Sequence, residues 1–266
     1  SKGAGFSIDR GITTVVEVFE HQTPNYQISI NSNVVYANVS KWVVESYLGF
    51  VHKPYYINIK HETDIPIGFG LGSSGAGALS LSYALNEALD TKLSKYKVAQ
   101  IAHHAEITCK TGLGTVIAEF SGGFEIRTSI GAPGVGFIEK IDLKDYKAVV
   151  LCIAPLSTKL FLSDHVSLAN QLGEKMLKRL KASRDIDEFL SMSYHFADNL
   201  GLTQCRCKEP LKILKSHGIE AGVALFGETI FTIVPLDRVN FAKQCLKSFE
   251  GALIVCNIDN TGARVL

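Results

Sequence analysis

The chain has 266 residues, 46% of them hydrophobic, and 27 lysines and arginines against 26 aspartates and glutamates, for a formal net charge of +1. That length supports one large core or two modest ones, and a balanced charge without a basic block or acidic tail argues against nucleic acid or an anionic membrane as partner. No apolar run approaches the ~18 residues of a membrane span and no signal-peptide pattern is present, so the sequence reads as a soluble, cytoplasmic protein.

In chain order, "GITTVVEVFE" (Gly11–Glu20) and "YQISI" (Tyr26–Ile30) are rich in β-branched and aromatic residues with turn residues between them, which predicts two adjacent, hairpin-like strands. Val39, Trp42, Val43, Tyr47 and Leu48 recur at helical spacing, and "YYINIKHE" alternates like a half-buried strand. A glycine-rich loop and a long helix follow, "IPIGFGLGSSGAGALSLSYALNEAL" from Ile65 to Leu89. Ser94 is placed to N-cap a helix with an apolar stripe of Val98, Ile101, Ala102 and Ala105. "TGLGTVIAEFSGG" reads as a short helix closed by glycines, and "FEIRTSI" as a strand.

The second half opens on a buried strand, "KAVVLCIA" (Lys147–Ala154). Helical patterns cover Ser163–Leu180, Ile186–Leu200 and Glu209–His217. Strands "AGVALFG" and "TIFTIV", helix "DRVNFAKQCLKSF" and strand "GALIVCNI" close the chain, an order that fits a split βαβ, ferredoxin-like layer. The whole is an α+β pattern in two lobes, residues 1–145 and 146–266. Of the six cysteines only Cys205 and Cys207 lie close together, and C-x-C without a second pair is poor zinc spacing. All six are expected to be reduced and structural.

Gly70, Gly72 and Gly75 satisfy G-x-G-x-x-G, but a dinucleotide fold needs a buried strand running directly into the first glycine. Here the strand ends near Lys60, and "HETDIPIG" intervenes. A Walker A loop is excluded because no lysine follows the last glycine. What survives is a helix that begins at Ser73–Gly75 and points unpaired N–H groups and a positive dipole end at its guest, for which phosphate is the natural candidate. The alternative is a helix start with glycines for close packing alone; the hydroxyls of Ser73 and Ser74 weigh toward phosphate or its metal.

Pro66 and Gly70-Leu71-Gly72-Ser73-Ser74 resemble the P-x-x-x-G-L-G-S-S phosphate loop of the GHMP kinases. "KGAGFSIDRGITTVV", "AHHAEITCKTGLGTVIAEFSGGFEIR" and "GVALFGETIFTIV" resemble, in order, the archaeal pantoate kinase group, so the likeness spans nearly the whole chain. The resemblance implies a two-lobed fold, the first lobe like domain 2 of ribosomal protein S5 and the second ferredoxin-like. It also implies a first strand before Ser1, ATP and Mg2+ as cofactors, a small hydroxy acid as acceptor, pairing as a homodimer, and a role in coenzyme A biosynthesis. On this resemblance Gly70, Leu71, Gly72, Ser73, Ser74 and Gly75 hold the ATP phosphates, and Ser73 and Glu106 hold the metal. His103, one helical turn before Glu106, is placed to face the same cleft and bind substrate, and Arg127 on its strand offers a permanent positive charge to an anionic substrate. Their duller alternatives are a solvated helix acid for Glu106, a surface or cap histidine for His103 and a strand-face arginine for Arg127.

The chain departs from the pattern at Thr115, where many of these kinases carry an aspartate. A threonine is no general base. Three readings follow: positioning and metal alone carry the reaction, another carboxylate such as Glu119 one turn on substitutes, or the substrate has changed or catalysis is lost. Besides pantoate, the sequence therefore leaves open a mevalonate-type kinase such as mevalonate 3-phosphate 5-kinase of isoprenoid biosynthesis, an inactive nucleotide-binding protein, and, lowest, an NAD-binding oxidoreductase.

Overall fold

The computed structural model describes residues 1–156, 166–203 and 205–266. Its first half runs β1 (Gly3–Phe6), β2 (Ile12–Glu20), β3 (Asn25–Ile30), β4 (Asn33–Val34), α1 (Asn38–Leu48), β5 (Tyr55–Thr63), α2 (Ser73–Ala88), α3 (Lys95–Cys109), α4 (Thr115–Ser121), β6 (Phe124–Arg127) and β7 (Ile138–Ile141). The expected β2–β3 hairpin does not form. Strand β5 inserts between them, antiparallel to β2 and parallel to β3, giving the order β2-β5-β3-β4. The reason is burial: Ile57 and Ile59 of β5 are wholly inaccessible, whereas Val15 and Phe19 of β2 are about half exposed, so β5 takes the centre and β2 the edge.

Helices α1, α2 and α3 cover this sheet, with Val43, Val44, Tyr47, Leu79, Leu81, Leu85, Ala99 and Ala102 closing the first core over Ile57 and Ile59. Ser94 caps α3 as expected, accepting from the Lys97 N–H at 3.3 Å. The buried Tyr47 hydroxyl is satisfied by the Ser82 carbonyl at 2.8 Å, so the core carries the phenol without an orphaned polar atom.

The second half runs β8 (Tyr146–Pro155), α5 (Val166–Ser183), α6 (Ile186–Asn199), α7 (Cys205–Ser216), β9 (Gly222–Val223), β10 (Gly227–Pro235), α8 (Val239–Leu246) and β11 (Ala252–Asn257). The sheet order is β11-β8-β10-β9, antiparallel throughout, which is the ferredoxin-like arrangement the strand pattern predicts. The predicted helix from Ser163 is seen from Val166, and residues 163–165 lie outside the described residues. Of the predicted strand "AGVALFG" only Gly222–Val223 pairs; Ala224–Phe226 turn away to meet the glycine loop of the first half.

A third sheet, β1-β6-β7, joins the two halves. Phe124 and Ile126 of β6 and Phe6 of β1 pack into a core shared with Val150, Phe189 and Phe231, with Phe124 against Phe189 at 4.7 Å between ring centroids. Alternation then places Glu125 and Arg127 on the opposite face of β6. That face lines a cleft of about 2150 Å³, walled also by Gly70–Gly72, Thr111–Thr115, Glu119, α5, α6 and Val223–Phe226.

Candidate functional site

The head of α2 is built from backbone. Gly70 and Gly72 both lie in the left-handed region, at φ of 77° and 76°, and Gly72 is the N-cap residue, without a side chain to cap the helix. The first N–H groups of α2 therefore lack intrahelical partners and the positive end of the helix dipole is left for an anion. Each glycine also makes room for a neighbour. A Cβ on Gly70 would lie 2.8 Å from the Leu225 carbonyl oxygen, and one on Gly72 would lie 2.7 Å from both Glu119 Oε1 and Thr115 Cγ2.

Two carboxylates flank this helix head. Glu106, on α3, is 2% exposed; the Thr111 hydroxyl donates to its Oε1 at 2.6 Å and the Ser74 hydroxyl bonds it as well. Burial pushes its carboxyl up and those two hydrogen bonds oppose the shift. Glu119 lies one turn after Thr115 on α4 and folds back along the helix, so its carboxylate lies beside the Thr115 side chain, against Gly72 and Gly75. The residue as a whole is partly exposed, yet its Oε2 is sealed and has no hydrogen-bond partner. Burial, then the neighbouring Glu106 charge, push the Glu119 carboxyl well above the usual range, with the Ala76 N–H opposing.

The donors at this head are carboxylate and hydroxyl oxygens, the hard set that suits Mg2+ rather than zinc. Among the described residues no group of three or more His, Cys, Asp and Glu side chains gathers to hold a metal. Mg2+ commonly takes only one or two protein carboxylates and completes its shell with phosphate oxygens and water. The residues fit that ion.

On the other wall, Arg127 of β6 is 13% exposed and its Nη1 donates to Oε1 of the fully buried Glu125. Burial pushes the Glu125 carboxyl up, to about 8, with Arg127 pulling the other way. His103 sits one turn before Glu106 on α3, 7% exposed, its pKa lowered by burial first of all.

Of the residues expected from the sequence, Gly70, Leu71, Gly72, Thr115 and Arg127 line the cleft. Ser73, Ser74, Gly75, Glu106 and His103 are not part of that lining. The hydroxyl brought to Glu106 is that of Ser74; Ser73 opens the helix one residue earlier. Sequence reasoning missed Glu125. The signal was there in "FEIR", where alternation puts Glu125 and Arg127 on one strand face. In the opening block, Lys2, Asp9 and Arg10 all line the cleft; Asp9 also ties the chain to β11 by accepting from the Asn257 N–H at 2.9 Å, and Arg10 pairs with Asp64.

Residues 12–123 match the family GHMP kinases N terminal domain. The chain is 34% identical to the pantoate kinase of Methanocaldococcus jannaschii over 97% of its own length and 91% of that protein's. It is 30% identical to the pantoate kinase of Thermococcus kodakarensis, over 94% and 84% of the two chains. Among solved structures, a phosphotransferase related to the CoA biosynthesis pathway superposes with a TM-score of 0.86 at 26% identity, covering 97% of this chain and 87% of that one. No helix among the described residues is long and apolar enough to cross a membrane.

Proposed function

The chain belongs to the GHMP kinases, within their archaeal pantoate kinase group, and on that premise we propose that it phosphorylates the primary hydroxyl of pantoate at the expense of ATP. The observation that carries this reading is the bare head of α2, with Gly72 as a left-handed N-cap and the Ser74 hydroxyl on Glu106. Phosphoryl transfer asks mainly for positioning and charge neutralisation, and a helix head with unpaired N–H groups offers both to a triphosphate.

Where the residues lie supports the following roles. Gly70–Gly75 hold the phosphates through main-chain N–H groups, as the family resemblance also implies. Glu106, with the Ser74 and Ser73 hydroxyls, would hold Mg2+, which when bound neutralises phosphate charge. Arg127 takes the carboxylate of the acceptor acid, being a charged donor on the cleft wall. His103 is proposed on the acceptor side from its helical spacing to Glu106 alone, since it does not line the cleft. Thr115 offers no base, and the carboxylate beside it on the cleft lining is that of Glu119, which stands in for the aspartate toward the acceptor hydroxyl. Mg2+ as the cation, a homodimer and a place in the cytoplasm belong to this same proposal.

The test is ADP release by the Mg2+-loaded protein with pantoate, mevalonate, mevalonate 3-phosphate and homoserine in parallel. Turnover on pantoate alone is expected. Turnover confined to a mevalonate derivative reassigns the acceptor, and ATP binding without turnover on any of the four points to an inactive site.

A further inference from the structure

Strands β1 and β6 together form a small recognition site. Their register sets Gly3 opposite Arg127 and Gly5 opposite Glu125. A Cβ on Gly3 would lie 2.5 Å from Arg127 Nη2, and one on Gly5 would lie 3.2 Å from Glu125 Oε1. A Cβ on Gly114 would come within 3.1 Å of Arg127 Nε. The G-A-G of β1 and the glycine before α4 thus clear the space that the E-x-R couple of β6 occupies.

The couple is not self-sufficient. Arg127 Nη1 and Glu125 Oε1 satisfy each other, but Arg127 Nε and Glu125 Oε2 are buried without a hydrogen-bond partner. Native interiors seldom leave such atoms unpaired, because the desolvation of each is then uncompensated. Here two orphans, one a charged donor and one an acceptor, sit on neighbouring side chains of one strand face, and both residues line the cleft. Their complement is a ligand that carries an anionic oxygen and a hydroxyl close together.

We propose that Glu125 is a specificity-determining residue that accepts the hydroxyl next to the carboxylate of a 2-hydroxy acid, while Arg127 holds that carboxylate. The inference rests on the acceptor reading above and goes further: it says which part of the acceptor is read, and by what. Pantoate has this hydroxyl on the carbon that bears its carboxylate. Mevalonate has its tertiary hydroxyl one carbon further out and leaves the Glu125 oxygen without its partner. A site built to hydrogen-bond a hydroxyl rejects the analogue that lacks it far more strongly than an apolar pocket rejects a missing methylene.

The experiment removes the hydroxyl from the ligand before touching the protein. Pantoate and its 2-deoxy analogue, 4-hydroxy-3,3-dimethylbutanoate, are compared on the wild-type protein and on Glu125→Gln, by calorimetric binding in the presence of ATP and Mg2+ and by kcat and KM. Wild type is expected to prefer pantoate by about 100-fold or more. Glu125→Gln is expected to shrink that preference below about 10-fold, with the loss falling on pantoate and chiefly on KM. The thermal shift produced by ATP reports whether the variant is folded. Equal treatment of the two acids by wild type, or an equal loss on both in the variant, overturns the proposal. A binding preference for pantoate without ADP release sinks the kinase reading and leaves this one standing.

Discussion

Gly72→Ala separates two reasons why the helix head is bare. The first is conformational: Gly72 caps α2 at φ 76°, and the left-handed region costs a residue with a Cβ roughly 1–2 kcal/mol. The second is steric, because the new methyl would lie 2.7 Å from Thr115 Cγ2 and 2.7 Å from Glu119 Oε1, and such overpacking costs about 1–3 kcal/mol. Together they predict a loss of about 2–5 kcal/mol, or a fall in Tm of about 4–10 °C for a chain of this size. Thr115→Ser deletes one of the two opposing atoms. In a double-mutant cycle read by urea unfolding, the pair Gly72→Ala with Thr115→Ser should recover about 1 kcal/mol and no more, since the backbone strain and the Glu119 contact remain. A Gly72→Ala protein within about 0.5 kcal/mol of wild type, or a cycle with no coupling, would refute the claim that α4 is seated on the glycines of this loop.

Two further predictions concern titrating groups. His61, 3% exposed between Thr14 Oγ1 at 2.8 Å and Ser40 Oγ at 3.1 Å, has its pKa lowered by burial to about 4. The unfolded chain therefore takes up a proton that the native state refuses. Its stability is complete above pH ~6.5 and falls by roughly 3 kcal/mol as pH drops to ~4, and a His61→Gln protein, less stable at pH 7, should show a flatter slope in urea unfolding across that window. Glu119 has the opposite sense: its raised carboxyl keeps a proton that the unfolded chain gives up above pH ~4.5, so stability falls as pH rises through the interval up to its folded value. In metal-free protein Glu119→Gln should match wild type at acid pH and exceed it at pH 7, while its kcat falls about 100- to 10,000-fold; recovery of kcat by adding Thr115→Asp is expected, and equal stability at both pH values would count against the assignment.

Most of the helices and the ferredoxin-like order are legible because they rest on local periodicity and on strong punctuation at Ser94, Gly122 and Gly123. The pairing of β2 with β5 is not local. Both β2 and β3 look like strands, and only the fully apolar Ile57 and Ile59, far along the chain, decide which strand lies between them. Within the site, the glycine loop and Glu106 carry their chemistry in residue type and spacing. Which of Ser73 and Ser74 reaches Glu106 depends on the turn of the first helical residues, and adjacent residues on a helix face different ways. Glu119 is visible through its spacing of four from Thr115, which stacks the two on one helix face. Glu125 is harder to see, since a carboxylate at a fully buried strand position runs against the expectation that charged residues stay outside unless paired.

The glycines of the loop answer to partners from both halves of the chain, so the proposed phosphate site lies on the seam. Gly68 accepts from the Leu156 N–H at 3.1 Å, Gly70 packs on the Leu225 carbonyl, and a Cβ on Gly227 would collide in turn with the Phe69 carbonyl. The conformation that presents the α2 head is therefore held by β8 and by the turn before β10 as much as by the residues of the loop. The acceptor wall has the same dependence. Glu125 and Arg127 stand on a strand whose other face, Phe124 and Ile126, is packed on Phe189 and Phe231 of the second half. The proposed phosphate and acceptor sides thus share one support, so on that proposal their spacing, on which in-line transfer depends, is set by the packing of β1-β6-β7 against the second half rather than by the loop sequence alone.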